Sequence, residues 1–149
     1  GVMAICDLTR IVRDTMDFMS GEFAGAQIKT SMDLPSDALK VVTDEGQFRQ
    51  ALMNILRNAL EAMPTGGTLT LVAFEENDRV VLKVTDTGVG IEDSFKERLF
   101  EPFATTKARG TGLGLAFVQQ AVQESSGRVS VDSNLGEGTT ITLELRRSV

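Results

Sequence analysis

The chain has 149 residues, 42% of them hydrophobic, and a formal net charge of −6. That length suits one domain with a real core, and the acidic balance argues against nucleic acid as a partner. The absence of histidine and the single cysteine, Cys6, exclude a Ser-His-Asp or Cys-His nucleophile, a His-ligated zinc and an internal disulfide framework.

Any chemistry must therefore run on carboxylates, amides, cations, backbone N–H groups or a hard metal such as Mg2+. There is no run of eighteen apolar residues and no signal-peptide pattern, so no membrane contact is expected. The lone cysteine fits a reducing, cytoplasmic setting.

In chain order, Asp7 is placed to cap a first helix, because Leu8, Ile11, Val12, Met16, Met19 and Phe23 follow at helical spacing. Gly21 and Gly25 predict that this helix ends between them. "AQIKTSMDL" alternates like a strand, Pro35 and Asp37 mark a turn, and "LKVVT" is a short strand. Asp44 caps a long helix, "EGQFRQALMNILRNALEAM", stopped by Pro64 and the Gly66-Gly67 pair. "TLTLVAFEE" and "RVVLKVT" form a hairpin around Asn77-Asp78. A loop-rich stretch from Asp86 to Thr111 follows, with a short helical piece near Ser94 to Leu99. "GLGLAFVQQAVQESSG" reads as a helix ended by Gly127, and "RVSVDS" and "TTITLELR" as two closing strands. Paired strands alternating with helices predict an α/β sandwich. Its sheet is mixed and mostly antiparallel, of about five strands, covered on one face by about three helices.

Three features stand out. On the central helix, Asn54 and Asn58 are four residues apart and share a face. They read either as part of a solvated stripe or as amide ligands for a hard cation, since asparagine is a mediocre helix former. In "VVLKVTDTGVGIED" a clean strand stops at Asp86 and then at Gly88 and Gly90. One glycine suits a turn; two imply close backbone approach. In "RGTGLGLAFVQQ", Gly110, Thr111, Gly112 and Gly114 stand just before a helix, either as an anion-binding N-terminus or as glycines for close packing. None of these matches a dinucleotide fingerprint, a P-loop or the protein-kinase H-R-D and D-F-G signatures.

"ALMNILRNALEAM", "TDTGVGI", "LFEPFATTK" and "GTGLGLAFV" follow one another in the order and spacing of the N, G1, F and G2 boxes of bacterial sensor histidine kinases. The closing "GEGTTITLELR" resembles their last segment. The chain resembles the ATP-binding catalytic domain of those kinases, in the GHKL superfamily, over roughly Asp7 to Arg146. "NALEAM" and "FATTK" look most like the nitrogen-regulation type.

The resemblance implies roles at the matching positions. Asp86 would accept a hydrogen bond from the adenine amino group of ATP, supported by Thr139 through water. Gly88 and Gly90 would let the loop backbone lie against base and sugar. Asn58 would coordinate Mg2+ bridging the phosphates, with Asn54 beside it. Gly110, Thr111, Gly112, Leu113 and Gly114 would form the end of a flexible ATP lid anchored by Phe100 and Phe103. Lys107 and Arg109 would contact phosphate, or else be solvated loop charges.

ATP-hydrolysing members of that superfamily carry a water-activating glutamate where this chain has Asn54. An amide cannot act as a general base at neutral pH, so the site is expected to present the γ-phosphate to an external histidine. That histidine would lie on a dimerisation domain of the same full-length kinase, in helices preceding Gly1, with a response-regulator receiver domain downstream. The whole of 1–149 is then one excised catalytic domain that does not phosphorylate itself. Two rival readings are a non-catalytic ATP-binding module and an anti-sigma-factor-type serine kinase of the same superfamily.

Overall fold

The computed structural model describes residues 2–101 and 114–148. Its elements run β1 (Ala4–Asp7), α1 (Leu8–Gly25), β2 (Ile28–Asp33), β3 (Lys40–Thr43), α2 (Glu45–Ala62), β4 (Gly67–Glu76), β5 (Arg79–Asp86), α3 (Asp93–Lys96), α4 (Gly114–Glu124), β6 (Arg128–Ser133) and β7 (Thr139–Arg146).

Both predicted caps form. The Asp7 carboxylate accepts from the Thr9 N–H at 3.0 Å, the Thr9 hydroxyl at 2.7 Å and the Leu39 N–H at 3.2 Å. Asp44 accepts from the Gln47 N–H at 3.0 Å, which satisfies a donor that the first turn of α2 otherwise leaves orphaned. The first helix runs on through Gly21 to Gly25, and its stop is Gln27, held at φ 63. Helix interiors tolerate a glycine when the apolar face is buried, and here Met16, Met19 and Phe23 bury that face.

The strands form a five-stranded sheet ordered β2-β4-β5-β7-β6, with a separate two-stranded piece, β1 against β3. Only β2 and β4 pair in parallel; the rest of the large sheet is antiparallel. The expected α/β sandwich is therefore what forms. β1 is the element that sequence patterning misses. Four residues are too few to show an alternation, and the strand exists because β3 pairs with it.

Period-2 alternation places one residue set on each sheet face. On β4, Leu69, Leu71 and Ala73 are buried; on β5, Val80, Leu82 and Val84; on β7, Ile141, Leu143 and Leu145. The register sets these rows side by side, with Leu71, Val84 and Ile141 on one rung and Ala73, Leu82 and Leu143 on the next. Helix α2 lies against both α1 and α4 and brings Phe48, Ala51, Leu52, Ile55, Leu56 and Ala59 onto this surface. Each large apolar side chain buried there contributes about 1.5–3 kcal/mol relative to exposure, so the packed face outweighs any single polar contact in holding the sandwich together.

Candidate functional site

Follow the buried rows toward the end of β5 and their chemistry changes. The row Val80, Leu82, Val84 ends in Asp86. The row Leu145, Leu143, Ile141 ends in Thr139. The row Val129, Val131 on β6 ends in Ser133. The register puts Leu69, Asp86, Thr139 and Ser133 on a single rung across four strands. Asp86 and Thr139 are each 8% exposed, and Ser133 is 3% exposed. A carboxyl group so nearly withdrawn from water needs hydrogen-bond partners. The Gly88 N–H supplies one, at 2.8 Å to Asp86 Oδ1.

Ser133 is the hub of this rung. Its hydroxyl oxygen accepts from the Ile91 N–H at 2.9 Å, its proton reaches the Gly138 carbonyl at 2.8 Å, and Thr139 Oγ1 stands 2.8 Å away. No motif in the sequence singles out Ser133. The available signal was the alternation itself, since a polar residue takes the last place of an apolar row on three neighbouring strands.

The loop after Asp86 is tied down on both sides. The Val89 N–H donates to the carbonyl of Ala62 at 3.0 Å, satisfying an acceptor at the C-terminal end of α2. The Gly136 N–H donates to the Val89 carbonyl at 2.7 Å, which fastens the loop to the turn between β6 and β7. The space beside the Cα atoms of Gly88 and Gly90 is filled by protein backbone. A Cβ on Gly88 would overlap the Ala62 carbonyl. One on Gly90, at φ +74, would overlap the Asn134 carbonyl. Glycine is needed at both places to let the loop pass between α2 and that turn.

Along the flank of α2, in its middle and C-terminal half, the partners are amides. The Asn54 Nδ2 group donates to the Gly114 carbonyl at 3.2 Å, and Gln50 Nε2 donates to Asn54 Oδ1 at 3.0 Å. Both halves of the Asn54 amide are thus engaged, and it serves to hold the start of α4 against α2. Asn58, one turn on and half-buried, makes no side-chain hydrogen bond among the described residues. A side chain on Gly114 would place its Cβ 3.7 Å from Asn54 Cβ and 3.9 Å from Asn58 Nδ2. The start of α4 therefore lies beside the two asparagines.

Asn58 is the residue whose amide could serve a hard cation. Among the described residues no group of three or more His, Cys, Asp or Glu side chains could hold a metal. A single amide oxygen does fit Mg2+, which keeps waters and takes most of its ligands from substrate phosphates. Burial, more than the carboxylate of Glu45, pushes the Cys6 thiol up, so it stays protonated and is no nucleophile. Phe100 is half-buried. Phe103, Lys107, Arg109, Gly110, Thr111, Gly112 and Leu113 lie outside the described residues. The fold thus brings Asp86 and Thr139 together at one end of α2 and Asn54, Asn58 and Gly114 together on its face.

A family model described as "Histidine kinase-, DNA gyrase B-, and HSP90-like ATPase" matches residues 43–149. The chain is 37% identical over 145 residues to sporulation kinase E of Bacillus subtilis, covering 95% of this chain and 20% of that protein. It therefore spans about a fifth of that relative's length. The catalytic domain of the histidine kinase ThkA in a nucleotide-free form superposes with a TM-score of 0.90 at 23% identity, covering 100% of both chains. Full-length ShkA in complex with AMPPNP superposes with a TM-score of 0.87 at 30% identity, covering 99% of this chain and 31% of that one. Among the described residues no helix is long and apolar enough to cross a membrane.

Proposed function

Because the chain belongs to the histidine kinase-, DNA gyrase B- and HSP90-like ATPase family, we propose that it binds Mg-ATP and presents the γ-phosphate to a histidine on another segment or chain. The single observation that carries this reading is the rung ending in Asp86. A carboxylate acceptor is held at a strand end, its Oδ1 fixed by the Gly88 N–H and its neighbour Thr139 in register. That acceptor takes the exocyclic amino group of adenine. A charge-assisted hydrogen bond of this kind contributes about 1.5–3 kcal/mol.

The phosphates would be held toward Asn58 and the start of α4, and by the family resemblance Gly110, Thr111, Gly112, Leu113 and Gly114 would belong to the lid segment, with Lys107 and Arg109 as its cations. Bound Mg2+ would neutralise charge on the phosphate oxygens, with Asn58 holding it. Asn54 orients rather than activates. Its amide is occupied by Gln50 and Gly114, and it has no basicity with which to deprotonate water. Phosphoryl transfer asks for positioning and charge neutralisation more than for covalent help, so a site without a base suits transfer to an external nucleophile. In that step a P–N bond to imidazole forms as the bond from the γ-phosphorus to the β,γ-bridging oxygen breaks. ADP leaves, and the imidazole proton passes to solvent.

With no histidine in the chain, the acceptor is expected on the dimerisation domain of a longer kinase, with a response-regulator receiver domain taking the phosphoryl group afterwards. ThkA has been seen in complex with the response regulator TrrA, which supports a response regulator as the downstream partner. We place the domain in the cytoplasm and, on "NALEAM" and "FATTK", nearest the nitrogen-regulation type. A phosphotransfer assay with a separately supplied histidine-bearing helical hairpin tests the reading. Label on histidine is expected. Label on a serine protein would indicate an anti-sigma-type kinase, and ATP binding without transfer a non-catalytic module.

A further inference from the structure

The hydroxyl pair at the end of the rung has a determinate proton arrangement. Ser133 Oγ has one proton and room for two donors. The Ile91 N–H can only donate to it, and the Gly138 carbonyl can only accept from it. If the Ser133 proton goes to Gly138, the 2.8 Å contact with Thr139 is satisfied only when Thr139 donates. This is the one arrangement that makes all three contacts hydrogen bonds, and burial of the Ser133 side chain makes leaving one unmade costly. The Thr139 proton is then committed to Ser133. Toward any other neighbour Thr139 Oγ1 offers lone pairs alone. Directly across the strand pair stands Asp86, whose carboxylate is also an acceptor.

We propose that Ser133 is a positioning residue which locks Thr139 as an acceptor and thereby sharpens the site's preference for a 6-aminopurine over a 6-oxopurine nucleotide. The inference rests on the reading of Asp86 as the contact to the purine. Two acceptors side by side attract an amino group and repel a carbonyl oxygen. A threonine hydroxyl left to itself rotates and donates to an oxo group instead, which erodes the discrimination. Ser133 prevents that rotation without touching the nucleotide.

The test compares dissociation constants for ATP and inosine triphosphate in the wild type, Ser133→Ala and Ser133→Cys, with Asp86→Asn alongside. Alanine removes the acceptor for the Thr139 proton; cysteine keeps nearly the same shape with a poor one. In both variants the ratio of the inosine to the adenosine constant is expected to fall by threefold or more, about the worth of one neutral hydrogen bond. A merely structural role weakens both nucleotides equally, so a smaller change in the ratio overturns the proposal. A normal loss of ATP affinity in Asp86→Asn with an unmoved ratio sinks the proposal alone. Unaltered ATP affinity in Asp86→Asn sinks the purine contact and the proposal together. Should neither serine variant fold, neutron diffraction on the deuterium-exchanged wild type decides. The Ser133 deuteron is expected on the Gly138 carbonyl and the Thr139 deuteron on Ser133, and a Thr139 deuteron directed elsewhere overturns the inference.

Discussion

The two ends of the candidate site are built by different means. At the C-terminal end of α2 the Asp86 rung sits inside a sheet whose register is specified strand by strand, and the loop beyond it is pinned between Ala62 and the β6–β7 turn. Along the flank of the same helix, Asn54, Asn58 and Gly114 meet as half-buried groups on helix surfaces, with ordinary van der Waals clearance. The contrast matches the tasks assigned to each end. Telling one base from another requires donors and acceptors that cannot shift by a fraction of an ångström. Holding a triphosphate requires charge neutralisation, which water, metal and N–H groups can complete in several arrangements.

Substitutions that strike each end break or sharpen this contrast. Gly90→Ala forces a Cβ into the Asn134 carbonyl at φ +74. It is expected to destabilise the chain by about 3 kcal/mol and to abolish measurable ATP binding, read by thermal melts and calorimetry. Asp86→Asn leaves the packing in place and is expected to weaken ATP binding about 10- to 100-fold with little change in Tm. An unchanged affinity would show that the sheet end is not where the base is read.

At the helix end, Asn58→Ala is expected to lower affinity for Mg-ATP about tenfold while leaving binding of metal-free ATP nearly unaltered. Equal losses with and without Mg2+ would remove Asn58 from the metal. Asp7 serves as a control, since its carboxylate bonds Thr9 and Leu39 and belongs to neither part of the site. Burial of its carboxyl raises its affinity for a proton, but the bonds from Thr9 and Leu39 outweigh this and hold its pKa below the usual aspartate value. The native state then binds fewer protons than the unfolded one in that window, so stability rises with pH. Asp7→Ala is expected to cost about 1 kcal/mol at neutral pH. That difference should shrink as pH falls from about 4, where the unfolded aspartate begins to take up its proton, down through the lower native pKa, and ATP binding should be unaffected throughout. Gly114→Ala is expected to change stability by no more than about 0.5 kcal/mol, because its added methyl finds contacts of 3.7 and 3.9 Å. A large loss there would mean that the helix end is as tightly built as the sheet end.

Much of this organisation is written in short-range pattern. Period-2 rows ending in Asp86 and Thr139, a helical stripe carrying Asn54 and Asn58, and caps at Asp7 and Asp44 all depend on residues within a few positions of one another. Local sterics and hydrogen-bond chemistry decide such features, so they can be read from the chain. The order of the N, G1, F and G2 boxes adds the family resemblance without any coordinates.

What the sequence by itself determined is therefore the set of elements, their buried faces and the identities of the polar residues that end them. Only the tertiary structure decided that β1 exists, that Ser133 joins the rung beside Thr139, that Gly88 and Gly90 make room for Ala62 and Asn134, and that Asn54 is engaged by Gly114 while Asn58 is not. Each of these joins residues far apart along the chain. Local propensity carries no information about such pairings; they are set when the sheet closes its register and the helices pack across it.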